Sequence, residues 1–418
     1  MRKVSLAQLS LPLTHCDCDC ADSLFRLRIA IVTETYPPEI NGVAMTIARM
    51  VDGLLEMGHH VQMVRPRQHR DDQAQQRERY TEVLARGIPL PRYPGLKMGL
   101  PAERKLLKLW SEVRPDLVHI VTEGPLGWSA LRTARRLQLP VVSDFHTNFH
   151  QYSRDYGFGW LHKPIAGYLR NFHNKGDATL VPTQAMRDDL IAEGYTAVRV
   201  VSRGVDTLLY NPGRRSVALR ASWGLQGDAP VAIYVGRLAP EKNLPLVLHT
   251  FEQLAAVAPQ ARLVLVGDGP SRAELQRRYP QHVFAGMRTG EDLATHYASG
   301  DLFLFPSLTE TFGNVTTEAM ASGLAVIAYD YAAAGQLIVD GENGFVAPCG
   351  NEQAFAQAAL RALGEPLRRT AARQRARLTA ERLSWRNVVR DFAGVLHEIV
   401  ASHEKQENLR SAAVLTAE

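Results

Sequence analysis

The chain runs twice through one alternation of short apolar segments and helix-length stretches. LRIAIVTE (27–34) is an apolar, β-branched run. The turn-rich loop TYPPEING follows it, then VAMTIARMVDGLLEMG, whose apolar residues recur at helical spacing and stop at Gly58. Further runs, HVQMV, DLVHIV, PVVSDF, ATLVP and VRVV, are separated by stretches long enough for helices. The first unit therefore reads as a parallel sheet with covering helices, ending near Val201. The pattern restarts with PVAIYVGRL (230–238), RLVLVGDG (262–269), HVFAGM, DLFLFPS (301–307), AVIAYD and GFVAP. Two doubly wound α/β units that face each other bring the carboxyl ends of both sheets to one cleft, where such sheets bind ligands.

Length agrees with two units, since 418 residues exceed the size at which a single hydrophobic core keeps growing. Turn residues in SRGVDTLLYNPG (202–213) suit a hinge between them, and 352–405 reads as alanine- and arginine-rich helices. The net charge of +5 favours an anionic partner, phosphates or an anionic membrane surface, and lacks the lysine-rich blocks of a nucleic-acid tail. Cys16, Cys18 and Cys20 cluster in HCDCDC while Cys349 stands alone. That is no disulfide framework, so a reducing, cytoplasmic setting is expected. The alternate-residue spacing of the cluster matches no zinc pattern. No run of about 18 apolar residues occurs, so no membrane-spanning or exported segment is expected.

The chemistry sits on the expected strand ends. In YVGRLAPEKNLP, Arg237 and Lys242 leave one strand in a loop with Pro240, and a helix start follows. Two cations and helix amides there form a clamp for a diphosphate; a solvated basic loop would carry the same letters. In PSLTETFGNVTTEAMASG (306–323), Glu310 follows a strand and Glu318 lies about one turn inside the next helix. Gly313 lets backbone approach a ligand, and Asn314 is expected to cap that helix. Amides for phosphates and carboxylates for hydroxyls together suit a nucleotide sugar.

ETYPPEINGVAMT, GRLAPEKN, VGDGP and ETFGNVTTEAMASGLAVIA together resemble a retaining GT-B glycosyltransferase, of the group that includes lipid-directed mannosyl-, glucosyl- and sulfoquinovosyl-transferases, across about residues 28–400. The resemblance implies two facing Rossmann-like doubly wound domains with an interdomain cleft. These are an acceptor-binding domain over 27–205 and a nucleotide-sugar-binding domain over 206–385. Residues 1–26 form an extension expected to be disordered, and 386–418 a helix and tail expected to pack back on the first domain. It further implies that Glu318 holds the donor ribose and Glu310 contacts the donor sugar. Phe312, Gly313, Asn314 and Val315 would line the sugar and diphosphate, and Arg237 and Lys242 would bind the diphosphate. Gly42 would approach it from the first loop, His146 would meet the donor sugar at the catalytic centre, and Met287 would contact the base through its backbone. Where many relatives carry two adjacent glycines, this chain has ING, so that approach rests on Gly42 alone.

The resemblance also implies no cofactor and no metal, because Arg237, Lys242 and helix amides can stabilise the leaving diphosphate. Asp17 to Asp19, the one Asp-x-Asp, lies in the extension. His146 and His150 form an H-x-x-x-H pair, but Thr147 stands where a zinc protease needs glutamate. GDP-mannose and UDP-glucose-type donors both fit. LPAERKLLKLWSEVRPD (100–116) sets Arg104, Lys105, Lys108 and Trp110 among leucines at helical spacing, which fits either a helix lying on an anionic membrane or a core-packed helix with a basic outer side. The aromatic and cationic stretch 149–174 resembles the corresponding region of lipid-directed relatives. A lipid acceptor is the preferred expectation, at the inner face of the cell membrane, with a soluble glycan as the alternative. A Rossmann dehydrogenase would need G-x-G-x-x-G, which neither EINGVAM nor VGDGPSR supplies, and a non-catalytic sugar-binding protein would not need the Arg/Lys clamp.

Overall fold

The computed structural model describes residues 26–39, 41–89, 97–146, 162–225 and 227–415. The cysteine cluster, Asp17, Asp19, His150 and residues 149–161 of the aromatic stretch lie outside the described residues.

Two sheets form the frame. The first runs, edge to edge, Val198–Val200, Ala178–Val181, Val141–Asp144, Leu117–Ile120, Arg28–Val32, His60–Pro66, Tyr80–Ala85 and Gln76–Arg77. All neighbours are parallel except the last pair. The second runs Val283–Gly286, Arg262–Val266, Val231–Val235, Leu302–Phe305, Ala325–Tyr329 and Phe345–Ala347, parallel throughout. Its central strands are apolar end to end because helices cover both faces, and all five residues of Val231–Val235 are buried. Every strand expected from the sequence is present.

The first sheet also has strands that the apolar pattern does not reveal. Tyr80–Ala85 pairs in parallel with His60–Pro66, and a separate hairpin joins Gly87–Pro89 to Lys97–Gly99. Glu82 interrupts the apolar run YTEVLA, yet it is buried, because Arg65 reaches across to it at 3.0 Å and holds Asp72 at 2.7 Å with the same guanidinium. A buried ion pair here stands where periodicity asks for an apolar residue.

Helix Gly42–Glu56 begins at Asn41, whose Oδ1 accepts the Ala44 N–H at 2.9 Å. It buries Ala44, Ile47, Met50, Val51 and Leu54, one face at helical spacing. The long helix Trp385–Leu415 crosses it, inserting Val388, Val389, Phe392, Leu396 and Ile399 into the core of the first sheet. The crossing is close: a Cβ on Gly53 would lie 2.7 Å from Val389. The C-terminal helix thus closes the N-terminal core.

Helix Glu103–Glu112 resolves the ambiguity in its sequence. Leu106 and Trp110 are fully buried, and the indole Nε1–H donates to Gln62 Oε1 at 2.8 Å. Trp110 is therefore a core residue and not a membrane contact, while Arg104, Lys105 and Lys108 stay exposed.

Candidate active site

The order of the second sheet reverses between Val231–Val235 and Leu302–Phe305, so the loops leaving these two strands diverge and open a crevice. The first loop carries Arg237 and Lys242; the second carries Glu310. Lys242 Nζ lies 2.5 Å from Glu310 Oε1, which also accepts from Ser307 Oγ at 2.8 Å. Arg237 is more exposed and lies 3.5 Å from Glu241. Each cation of the expected clamp thus has a carboxylate of its own domain beside it, which holds the side chain in place and fixes its charge near the crevice.

The VGDGP motif braces that loop. Gly236 N–H donates to Val266 O at 3.0 Å and Leu238 N–H to Asp268 O at 2.9 Å. Gly267 has φ +135°, and a Cβ there would sit 2.0 Å from the Gly236 carbonyl oxygen. Glycine is required at 267 because two backbones touch.

Helix Asn314–Ala321 starts behind Glu310. Asn314 is its first residue and not its cap: Gly313, at φ 87°, holds the cap position, with no side-chain capping bond. Thr316 N–H donates to Gly313 O at 2.9 Å, and with glycine at the cap position no capping side chain covers the Asn314 and Val315 amides ahead of it. Across the cleft, Gly42 begins the first helix, and a Cβ on it would lie 4.0 Å from Asn314 Nδ2. The N-termini of two helices, one from each sheet, therefore converge.

His146 follows strand Val141–Asp144 of the first sheet. Asp144 lies 3.1 Å from His146 Nε2 and 2.9 Å from His119 Nε2, close approaches without good hydrogen-bond alignment. On the other side of the ring, Arg203 Nη2 lies 2.6 Å from His146 Nδ1. A guanidinium can only donate, so Nδ1 accepts and the proton of the neutral ring sits on Nε2, facing Asp144. Burial, with the Arg203 charge, pushes the His146 pKa down. Burial works against the Asp144 charge, but the two histidines hold its pKa below the ordinary carboxylate value.

These pieces meet in one cleft of about 410 Å³. Gly42 and His146 line it from the first sheet; Arg237, Lys242, Glu310 and Phe312 to Val315 line it from the second. Glu318 and Met287 are not among its lining residues. Glu318 is half-buried behind it, accepting from Tyr297 Oη at 2.9 Å and held also by Tyr210, and burial pushes its pKa up to about 7. Met287 is exposed just past strand Val283–Gly286. Sequence reading missed Arg203, Asp144 and the two tyrosines. Arg203 sits in the expected hinge, where turn residues drew the reading away from chemistry. Among the described residues, no cluster of three or more His, Cys, Asp or Glu side chains is arranged to hold a metal.

Known proteins match this chain along most of its length. Residues 229–365 match the family described as glycosyl transferases group 1, and 40–208 the one described as glycosyltransferase family 4. A GDP-mannose-dependent alpha-mannosyltransferase of Mycobacterium tuberculosis is 35% identical over 327 residues, 78% of this chain and 84% of the relative. An alpha-monoglucosyldiacylglycerol synthase of Streptococcus pneumoniae is 27% identical over 328 residues, 75% of this chain and 74% of that one. Among solved structures, a sucrose-phosphate synthase from Thermosynechococcus elongatus superposes with a TM-score of 0.73 at 19% identity, over 90% of this chain and all of that one. Its likeness is one of fold.

Proposed function

Because this chain belongs to the group 1 glycosyltransferases, enzymes of the GT-B fold, we propose that it transfers a hexose from a nucleotide sugar to a lipid acceptor, retaining the anomeric configuration and using no metal. The observation that carries this reading is the meeting, in one cleft, of Arg237, Lys242 and two helix N-termini from opposite sheets. A departing nucleoside diphosphate gains negative charge as the glycosidic bond breaks, and these groups are placed to stabilise it. Glu310, fixed by Lys242 and Ser307, accepts sugar hydroxyls, and Glu318 accepts the ribose. With its acceptor nitrogen Nδ1 taken by Arg203, the His146 imidazole shapes the cleft and does not act as a base. The leaving phosphate then takes the acceptor proton in a same-face attack. GDP-mannose is the first donor to test, on the strength of the mannosyltransferase relative.

A lipid acceptor is supported by the relative that makes a glucosyldiacylglycerol and by the surface of the first domain. Helices Glu103–Glu112 and Pro125–Arg136 pack side by side and expose Arg104, Lys105, Lys108, Arg132, Arg135 and Arg136. No helix among the described residues is long and apolar enough to cross a membrane. The basic face would dock on anionic lipid by charge alone, since Trp110 is unavailable. Incubating the protein with GDP-mannose, UDP-glucose and UDP-galactose, each with diacylglycerol vesicles or a soluble oligosaccharide, tests the reading. Transfer to lipid with an α-linkage by NMR supports it; transfer to the oligosaccharide alone moves the assignment to a soluble glycan, and no transfer or donor hydrolysis in any mixture sinks it.

A further inference from the structure

Several buried or partly buried arginines among the described residues carry carboxylate partners. Arg65 holds Asp72 and Glu82, and Arg215, Arg220 and Arg373 surround Asp301. Arg203 differs. It lines the interdomain cleft, burial presses against its charge, and among the described residues no carboxylate lies within ion-pairing distance of it. Its hydrogen bond goes to a neutral imidazole, His146, and uses one of five N–H donors. Asp144, the nearest influence of opposite sign, is occupied by His119 and His146.

The position of Arg203 is fixed. The next residue, Gly204, lies against the Trp385 indole, where a Cβ would come within 2.5 Å, and Val205 N–H donates to Leu383 O at 2.9 Å. Arg203 is thus anchored where the two domains join, in the same 410 Å³ cleft as Arg237 and Lys242. A partly buried guanidinium in a cleft, with donors beyond its bond to His146 and no ion-paired carboxylate among the described residues, is matched by an anion that arrives with a ligand.

From this geometry we infer that Arg203 is a phosphate-binding residue on the N-terminal wall of the cleft, contacting a phosphate oxygen of a substrate. The inference rests on the proposed donor site. Two substrates can bring that oxygen: the donor, through its diphosphate, or an acceptor carrying a phosphate. His146 holds the guanidinium in place until the oxyanion takes over its remaining donors.

Calorimetry on the full chain separates the sources. GDP and UDP are titrated into wild type, Arg203→Gln and Arg203→Lys; sn-glycerol 3-phosphate is then titrated into each nucleotide-saturated protein. Loss of a charge-assisted bidentate contact predicts affinity lower by about 10- to 100-fold in Arg203→Gln and a smaller loss in Arg203→Lys. A loss in the nucleotide arm assigns the donor diphosphate, and a loss in the glycerol phosphate arm assigns an acceptor phosphate. Unchanged affinity in both arms overturns the inference and leaves Arg203 as a prop for His146. If Arg203→Gln does not fold, judged by circular dichroism, unchanged binding in Arg203→Lys overturns it equally. Arg237→Ala is the control. If it loses nucleotide affinity while the Arg203 variants bind both nucleotide and glycerol phosphate as wild type does, the donor site stands and this inference alone falls.

Discussion

Glu318 illustrates how a single residue can be legible in kind but not in state. The family resemblance implies that it holds the donor ribose, but the sequence does not reveal that Tyr297 and Tyr210 hold it and that burial moves its pKa to about 7. The sign of the consequence is definite. The folded pKa is raised, so the folded chain keeps a proton that the unfolded chain releases from about pH 4.5 upward, and stability falls as pH rises until about pH 7. Glu318→Gln removes that cost, which is roughly 3 kcal/mol at pH 8 and near zero at pH 4. The variant should therefore melt higher than wild type at pH 8 and equally at pH 4, while binding nucleotide more weakly by roughly 1–3 kcal/mol. Equal melting curves at both pH values would show that Glu318 is not held in a desolvated state. Arg203 and Asp144 were not legible at all, because their meaning lies in contacts across loops with no shared motif.

Secondary-structure elements were legible where apolar runs were uninterrupted and opaque where charge is buried. The second sheet could be read strand by strand, whereas Tyr80–Ala85 was hidden by Glu82, whose partner Arg65 lies on the neighbouring strand. VGDGP marks the family resemblance, while its physical reason, Gly267 against the Gly236 carbonyl, is a contact between two loops that the sequence does not show. Gly267→Ala must push the two loops apart, so it should destabilise the protein by several kcal/mol, and its nucleotide affinity should fall because Arg237 is displaced; unchanged affinity in folded protein would detach the brace from the site. The basic helix Glu103–Glu112 gives a contrast of faces. Replacing both Lys105 and Lys108 with glutamate should weaken sedimentation with anionic vesicles, by about 1 kcal/mol for each cation lost, at the cost of a small drop in melting point from the bonds to Leu84 O and Glu112. Trp110→Ala should instead cost about 3–5 kcal/mol of stability. Vesicle binding that ignores the double charge reversal would remove this helix from membrane docking.

At the scale of the whole molecule, the last helix ties the chain's end to its beginning. His59 is buried at the start of the first sheet, accepts the Leu27 N–H at 3.1 Å and lies 5.3 Å, ring to ring, from His397 of helix Trp385–Leu415. Burial lowers its pKa to about 4. The unfolded chain takes up this proton near pH 6.5, so stability is lost as pH falls from there to about 4, by up to roughly 3 kcal/mol. His59→Asn, which keeps an acceptor but cannot be protonated, should flatten that acid limb of the melting curve; an unchanged limb assigns it to other groups. The two-domain plan was readable because the strand pattern restarts, but the meeting of both helix N-termini at one cleft depends on how the domains face each other. That meeting is the basis of the proposed chemistry, and it makes Lys242 the most informative residue to change. The decisive measurement is steady-state hexose transfer in the presence of EDTA, comparing wild type with Lys242→Ala on the donor that wild type accepts. The predicted result is undiminished wild-type turnover in chelator and a kcat about 100- to 1,000-fold lower in the variant. Turnover that is equal in the two proteins, or wild-type activity abolished by EDTA and restored by manganese, would contradict it.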